Sequence, residues 1–493
     1  MKFEPVIGLE IHAELATRSK MFCSCPVIDI TQSEPNSAVC PICAGMPGML
    51  PVVNKRAVKF ALRVALSLNC KINSTSTFAR KNYFYPDLPK GYQITQYEQP
   101  LAINGRLTIS LPSGQRTIGI RRVHLEEDTG KLTHIQNQNN GHARSYSLVD
   151  LNRAGIPLLE IVTEPDFRSA ESVRVFAESL RSILIYLKVN SGDMEKGVMR
   201  IEPNVSVRPT GSAALATRTE IKNLNSFRSL ERSIDFEIHR QINLVEQNEE
   251  IIQQTMGWDE KREVTIPQRS KEEAHDYRYF PEPDIPPLQV EQTFIDEVKS
   301  RLPELPDEKY VRFQKQYNLN AYDAGVLVSE KCIADYFEAA VQSIPNTNPK
   351  LVANWMMGEL FSLINKEGIR IEEIIISPNS LSGLIQLVSK NEINQNTGKN
   401  VLAEMFATGR SAEVIVDDRN LRQISDDTII RNIVDSVLTE NPEQVNIYLQ
   451  GKESISKWLY GQVMRQAKGK ANPQIVQKQL DEQLSALKNT YRS

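Results

Sequence analysis

The chain has 493 residues, a formal net charge of -3 and 40% hydrophobic residues. This length exceeds what one hydrophobic core organises, so we expect two to four domains. The charge balance excludes a general attraction to nucleic acid, so such binding would need a local basic patch. No segment reaches the apolar length of a membrane span, and the N-terminus lacks the apolar run of a signal peptide. We therefore expect a cytoplasmic protein, or an organellar one in a eukaryote, with no membrane partner.

The first predicted strand, Val6 to Leu15, alternates apolar residues with ionisable ones. This period of two places Glu10 and His12 together on one face. A solvated outer face of an antiparallel strand produces the same pattern, so the strand alone does not establish a site.

Four cysteines follow in two close pairs: Cys23 with Cys25, and Cys40 with Cys43. Two such pairs separated by a loop are typical of structural zinc sites, because four thiolates complete a tetrahedron. Absence of a signal peptide favours a reducing compartment and argues against disulfides. We predict a zinc-binding insert near residues 23–43; the alternative is four small buried residues.

An amphipathic helix is predicted from Asn54 to Asn69, and an aromatic and cationic stretch follows at residues 78–93. Prolines exclude a long helix in that stretch. Interleaved cations and aromatic rings suit stacking on a base and pairing with phosphates. A tyrosine-rich loop packed on the core is an equally good interpretation.

The segment from Val123 to Asp166 contains the most unusual carboxylates. Glu126 and Glu127 are adjacent, and Glu160 lies in the middle of an apolar run that predicts a buried strand. A carboxylate rarely occupies such a strand unless a metal, a cation or a raised pKa compensates it. With Glu10 and His12, these groups could supply ligands to one or two magnesium ions for phosphoryl transfer.

Two further predicted strands, Met199 to Arg208 and Thr217 to Leu224, also carry charged residues on one face. Several such faces indicate a concave polar sheet surface that holds a charged substrate. A proline-rich stretch, Phe280 to Pro287, suggests a domain boundary. Beyond about residue 294 helical patterns dominate, for example Asp323 to Val341 and Ala353 to Ile364. The chain has neither the P-loop nor the Rossmann glycine motif.

The final segment, residues 451–493, is rich in basic residues. Candidates for contact with an RNA backbone are Lys457, Arg465, Lys468 and Lys470. A solvated helix face would have a similar composition.

Several long motifs resemble the B subunit of the tRNA-dependent aspartyl/glutamyl amidotransferase, and the resemblance covers the whole chain. They are VIGLEIH at 6–12, RKNYFYPD at 80–87, HLEED at 124–128, DLNR at 150–153, KNLNSF at 222–227, DYRYFPEPD at 276–284, GQVM at 461–464 and KGKANP at 468–473. The resemblance implies an α+β protein. Residues 1–295 would form a cradle domain on a mainly antiparallel sheet with a polar substrate face. An all-α domain at 296–410 and a small helical tRNA-binding tail at 411–493 would follow.

The resemblance also implies a carbon–nitrogen ligase with glutamine as amido donor. The cradle would use ATP and magnesium to phosphorylate the side-chain carboxylate of Glu or Asp misacylated onto tRNA(Gln) or tRNA(Asn), and ammonia would then displace phosphate. A glutaminase A subunit would supply the ammonia through a channel, and a small C subunit would complete a heterotrimer. The non-discriminating aminoacyl-tRNA synthetase is a further expected partner. We find no amidase signature in the chain itself.

Roles for individual residues follow from the resemblance. The expected catalytic residues are Glu127, Glu10 and His12, with Glu127 also the gate at the channel exit. The expected magnesium ligands are Glu10, His12, Glu126, Glu127 and Glu160. The expected contacts to nucleotide or terminal adenosine are Lys81, Tyr83, Tyr85, Lys90, Asn204 and Ser206. Two alternatives remain: a magnesium-dependent RNA nuclease that uses the same carboxylates, and a non-catalytic tRNA-binding protein.

Overall fold

The computed structural model describes residues 2–137, 144–270, 277–343, 348–424, 426–467 and 470–492. The chain divides into two compact units, the first ending at Glu308 and the second beginning at Lys309. Among the described helices, none combines the length and the apolar character that a membrane span requires.

The first unit contains the strands and four of the helices. Its strands are β1 Phe3–Glu14, β2 Lys71–Ile72, β3 Thr75–Ser76, β4 Ala79–Asn82, β5 Tyr92–Thr95, β6 Ala102–Leu111, β7 Gly114–Glu127, β8 Lys131–Asn137, β9 Arg144–Asp150, β10 Pro157–Thr163, β11 Met199–Pro209, β12 Thr219–Lys222, β13 Gln254–Asp259, β14 Val264–Ser270, β15 Phe280–Pro281 and β16 Leu288–Gln289. Its helices are α1 Lys55–Ser67, α2 Ala170–Tyr186, α3 Phe227–Glu246 and α4 Gln292–Ser300.

A nine-stranded sheet, counted over the described residues, organises this unit in the order β14-β13-β12-β11-β1-β10-β7-β6-β2. Its described pairings are antiparallel except that of β12 with β13. The predicted α+β class and mainly antiparallel sheet are therefore confirmed. The sequence places β1 at the centre because its back face is apolar: Ile7, Leu9 and Ile11 are completely or almost completely buried. Burying each such side chain contributes about 1.5–3 kcal/mol.

The apolar back of the sheet is covered by helices. Residues of α1, α2 and α3 share one continuous hydrophobic core with β1, β7 and β11. Helix α1 begins at Lys55 because the side chain of Asn54 accepts hydrogen bonds from the backbone N–H groups of Arg56 and Ala57. With helices on the back, the polar face of the sheet is left to form a site.

The second unit is helical. Its helices are α5 Pro306–Tyr317 (which contains the boundary), α6 Ala321–Val328, α7 Lys331–Ser343, α8 Pro349–Trp355, α9 Phe361–Glu367, α10 Pro378–Ser389, α11 Gln395–Thr408, α12 Ala412–Asp418, α13 Asp427–Glu440, α14 Pro442–Leu449, α15 Ile455–Gln466 and α16 Pro473–Arg492. A π-helical turn, Met356–Leu360, joins α8 to α9, and a 3-10 turn occupies Ile371–Glu373. One hydrophobic cluster includes Phe313 and Phe337, and another includes Val434 and Leu480. The predicted boundaries at 295/296 and 410/411 stay predictions.

The helical pattern predicted from Asp323 to Val341 is found as two helices and not as one. The chain breaks this segment into α6 and α7 at Ser329 and Glu330. Ser329 and Glu330 are both exposed, so ending the helix here removes no side chain from the hydrophobic core. The backbone carbonyl of Glu330 instead accepts the N–H of Ala334, which starts α7. The proline-rich stretch from Phe280 lies inside the first unit, where β15 pairs with β4.

A carboxylate in the second unit makes a testable contribution to stability. Glu338 lies 2.9 Å from Lys309 Nζ and 2.6 Å from Arg312 Nη1, and accepts a hydrogen bond from Tyr317 Oη at 3.0 Å. Burial opposes ionisation, but the hydrogen bonds from Arg312 and Lys309 outweigh it and lower the pKa of Glu338 to about 2. This stabilisation is complete above the unfolded carboxyl pKa of about 4.3, and is lost as the pH falls towards 2.

We predict that Glu338→Gln lowers the free energy of unfolding at pH 7 by about 1–2 kcal/mol, because charged hydrogen bonds are replaced by a neutral amide. The difference from wild type should shrink between pH 4 and pH 2. Urea unfolding, with hydrogen exchange of α5 and α7 to localise the effect, measures both quantities. Glu443→Gln, at an exposed position of α14, is the control. An equal loss of unfolding free energy in Glu338→Gln and Glu443→Gln would contradict the stabilising role of Glu338.

Candidate functional site

The polar face of the sheet forms the floor of a pocket of about 1120 Å³. The strand register creates it, because His12 of β1 lies opposite Glu160 of β10 and Arg200 of β11. Glu160 in turn lies opposite His124 of β7. One row of ionisable side chains therefore crosses four adjacent strands.

A histidine and two carboxylates meet in this row. His12 Nε2 lies 3.6 Å from Glu126 Oε1 and 3.5 Å from Glu160 Oε2, and His124 Nε2 lies 3.2 Å from the same Glu160 oxygen. One ligand atom from each of His12, Glu126 and Glu160 lies within 4.8 Å of the other two. Thr95 Oγ1 donates a hydrogen bond to Glu126 at 3.2 Å and fixes that side chain. The donor set of one imidazole and two carboxylates suits a divalent cation.

The electrostatics of this group favour an added positive charge. Burial and the neighbouring Glu160 raise the pKa of Glu126. Burial would lower the pKa of His12, but its hydrogen bond to Glu160 and the charge of Glu126 raise it to about 9. Among the described residues, Nδ1 of His12 and Nδ1 of His124 have no hydrogen-bond partner. The geometry therefore fits a cation, which would take the place of the proton that these carboxylates otherwise hold on His12.

A second acidic group lies beside the first. Ligand atoms of Glu10, Glu202 and Glu220 lie within 4.8 Å of one another. Lys222 Nζ is 3.0 Å from Glu202 and 3.4 Å from Glu220. Burial, with the charge of Glu160 next in effect, raises the pKa of Glu10. The structure thus places the predicted ligand Glu10 with a lysine-compensated group and not with His12.

Glu127 is not brought together with the other predicted magnesium ligands. Neighbouring residues of a strand point to opposite faces, and Glu127 lies on the reverse face of β7 from Glu126. Its Oε1 accepts the N–H of Ile94 at 3.0 Å and lies 2.7 Å from Lys90 Nζ. Glu127 and Lys90 line a separate cavity of about 290 Å³, which Cys43 also lines.

The predicted nucleotide contacts are divided in the same way. Lys81, Asn204 and Ser206 line the large pocket, whereas its described lining does not include Tyr83 or Tyr85. Tyr85 is half exposed. Lys81 is held protonated: burial opposes this, but Tyr279 and the nearby carboxylates raise its pKa.

Several residues of the pocket were absent from the predicted set. Asp128 is buried and accepts two hydrogen bonds from Arg200, at 3.1 and 3.2 Å. His124, Glu202 and Lys222 also belong to the lining. Arg200, Glu202 and Lys222 could have been found from the charged faces of the predicted strands at 199–208 and 217–224. His124 and Asp128 belong to the HLEED motif.

The four paired cysteines converge. Their Sγ atoms all lie within 4.8 Å of one another. Cys43 Sγ is 3.9 Å from Cys40 Sγ and 4.0 Å from Cys25 Sγ, and accepts the N–H of Cys40 at 3.2 Å. Hydrogen bonding from Cys23 is the largest of the effects that lower the pKa of the Cys43 thiol, and Lys20 adds to it. The spacing fits a tetrahedral metal–thiolate centre.

Three of the four predicted basic residues of the tail, Lys457, Arg465 and Lys470, lie among the residues that the structure describes. Lys457 and Arg465 are exposed on α15. Lys470 Nζ donates to the carbonyl of Asn420 at 2.8 Å. Lys468 lies outside the residues that the structure describes.

Comparison with known proteins decides the family. Residues 5–296 match the GatB/GatE catalytic domain and residues 335–484 match the GatB domain. The chain belongs to the GatB family. Relatives named as the B subunit of aspartyl/glutamyl-tRNA(Asn/Gln) amidotransferase align over nearly the whole chain. The one from Caldicellulosiruptor saccharolyticus is 50% identical over 99% of this chain and 100% of its own length.

Two further GatB relatives also align over nearly their whole length. The protein from Thermodesulfovibrio yellowstonii is 50% identical over 97% of this chain and 98% of its own length. That from Thermotoga maritima is 46% identical over 98% of this chain and 100% of its own length. The resemblance inferred from the motifs is confirmed.

Proposed function

We propose that this chain is the B subunit of a tRNA-dependent amidotransferase and carries its kinase and transamidase site. Its substrates are Glu-tRNA(Gln), Asp-tRNA(Asn) or both, which it converts to the glutaminyl or asparaginyl forms with ATP. The observation that carries the proposal is the convergence of His12, Glu126 and Glu160 on the floor of a large polar pocket. The names of the GatB relatives support the substrate class.

The chemistry of substrate activation explains why the pocket needs positively charged side chains as well as carboxylates. A carboxylate is a poor acyl donor because its leaving group would be oxide, and phosphorylation provides phosphate instead. His12, Glu126 and Glu160 would hold magnesium, which would supply positive charge to offset that of the phosphate during the transfer. Lys81 places a second positive charge at the pocket. Arg122 also lines it, and its buried Nε has no hydrogen-bond partner among the described residues, so it is free to donate to an anionic substrate group.

Ammonia enters the proposed reaction from the other side of β7. The acyl phosphate must be protected from water, so a nucleophile delivered through a closed path suits the chemistry. Glu127 and Lys90 line the smaller cavity on that side, which makes Glu127 the candidate gate. The backbone carbonyl of Glu127 accepts a hydrogen bond from Gln93, which lines the large pocket. A glutaminase A subunit would supply the ammonia, and a small C subunit would complete the heterotrimer.

The remaining partners follow from the same proposal. The exposed Lys457 and Arg465 of α15 are the proposed contacts to the tRNA backbone. A non-discriminating synthetase would provide the misacylated tRNA.

The decisive experiment separates the two steps. The chain with its A and C subunits is given Glu-tRNA(Gln), ATP-magnesium and either glutamine or ammonium chloride, and ADP and Gln-tRNA are measured. We predict that Glu160→Gln lowers both products by at least about 100-fold, because weakening the proposed metal site would remove a positive charge from the transferring phosphoryl group, and losing one such preorganised contact has an effect of this size. Glu127→Gln should lower Gln-tRNA far more than ADP, because Glu127 lines the smaller cavity and not the large pocket where phosphorylation is proposed.

Glu171→Gln, at an exposed position of α2, is the matched control and should retain both activities. Shortened tRNA without ATP would indicate the nuclease instead. Intact Glu-tRNA without ADP, with the whole heterotrimer present, would leave a binding role only.

We also propose that the four-cysteine centre holds a structural zinc ion. Four thiolates leave no open coordination position, so the metal would stabilise the fold and take no part in catalysis. We predict one zinc per chain in the purified protein, lost in Cys25→Ser together with a fall in melting temperature. Cys332→Ser, remote in sequence from both pairs, should keep its zinc. Elemental analysis measures the content, and equal zinc in both variants would exclude the cysteine centre.

A further inference from the structure

Lys20 is a buried lysine beside the cysteine centre. Its side chain is among the largest in the chain that are fully enclosed, with 0% of the residue exposed. Its Nζ lies 3.6 Å from Cys43 Sγ and donates to the carbonyl of Leu151 at 3.1 Å. Among the described residues, no carboxylate forms an ion pair with Lys20.

Such a lysine needs an anion close by. Moving an ammonium ion from water into a protein interior carries a large free-energy penalty, and neutral acceptors return only part of it. The carbonyl of Leu151 is neutral, so the compensating negative charge must come from the cysteine centre. A divalent zinc ion with four thiolates has a net charge of -2, and it would lie next to the ammonium group.

We propose that Lys20 is a positioning residue of the cysteine centre. Its ammonium group offsets part of the negative charge of the zinc–thiolate centre, and its N–H···S hydrogen bond orients Cys43. This inference rests on the proposed zinc assignment and goes beyond it, because it gives a role to a residue that is not a ligand.

The residues around Lys20 and Cys43 keep both side chains out of water. Lys20 N donates to the carbonyl of Cys25 at 3.0 Å, and Met21 N donates to the carbonyl of Gly155 at 2.7 Å. Gly155 has φ +84°, and a Cβ built there would lie 3.5 Å from Lys20 Cδ and 3.6 Å from Cys43 Cβ. The turn at Gly155 therefore covers the lysine stem and the ligand together.

The same side chain links the cysteine centre to the pocket. Leu151, whose carbonyl accepts from Lys20, belongs to the turn before β10. Strand β10 carries Glu160. Lys20 thus ties the metal centre to the segment that leads into the catalytic floor.

The test is a zinc competition measurement on the full chain in its complex. Lys20→Met keeps the apolar stem and removes the charge and the donors. We expect its zinc affinity to fall about 10–100-fold, the usual effect of losing an outer partner of a metal ligand, and its zinc to pass faster to a competing chelator. Lys196→Met, at an exposed loop position, should leave both unchanged. Lys20→Gln, which keeps a donor without the charge, should also weaken binding.

A double-mutant cycle separates charge from packing. In a Cys25→His background the centre has three thiolates and a net charge of -1, so the effect of Lys20→Met on zinc affinity should be smaller than in wild type. The cobalt-substituted spectrum of each variant verifies a tetrahedral thiolate site. An equal effect in both backgrounds, or unchanged affinity in folded Lys20→Met and Lys20→Gln, would overturn the inference while leaving the zinc assignment intact. A wild-type chain without zinc would overturn both.

Discussion

The pairing of Glu160 with two histidines is the interaction on which the rest of the pocket depends. Glu160 lies in an otherwise apolar strand, and burial alone would raise its pKa. The charges of His124 and His12 and their hydrogen bonds reverse this and hold the pKa well below the ordinary value. The Glu160 carboxylate therefore stays ionised in a position where it can bind a cation. Its two partners come from the strands on either side, so the site exists only when β7, β10 and β1 are in register.

That register is determined by the opposite face of the sheet. A shift of one residue would turn His12 into the core and Ile11 into the pocket. Ile11, Leu159 and Ile161 are fully buried, so such a shift would lose several large apolar contacts. The hydrophobic core therefore holds the charged side chains in place, and the polar pocket contributes little to choosing the fold. The adjacent carboxylates are tolerated because histidine, arginine and lysine side chains lie beside them.

The sequence predicted what lies along each strand better than what lies between strands. Alternation alone placed Glu10 and His12 on one face, because a strand repeats every two residues. It could not show that Glu10 pairs across to Glu202 while His12 pairs to Glu160, since β10 and β11 are far away in the chain. The motif with Glu126 and Glu127 misled for the opposite reason: adjacent residues look like one cluster, but the strand separates them. The cysteine cluster was predictable because ligand spacing is local.

The separation of Glu126 from Glu127 suits the two halves of the proposed reaction. On the floor of the large pocket the carboxylates of Glu126 and Glu160 lie close together, and ammonia that reached them would be stabilised as ammonium. Ammonium has no lone pair and cannot attack an acyl phosphate. On the reverse face of β7 the charge of Glu127 is balanced by Lys90 at 2.7 Å, so ammonia there meets a nearly neutral pair. In the proposed reaction, strand β7 would thus separate the carboxylate group that holds the activating metal from a charge-balanced pair beside which ammonia would stay unprotonated.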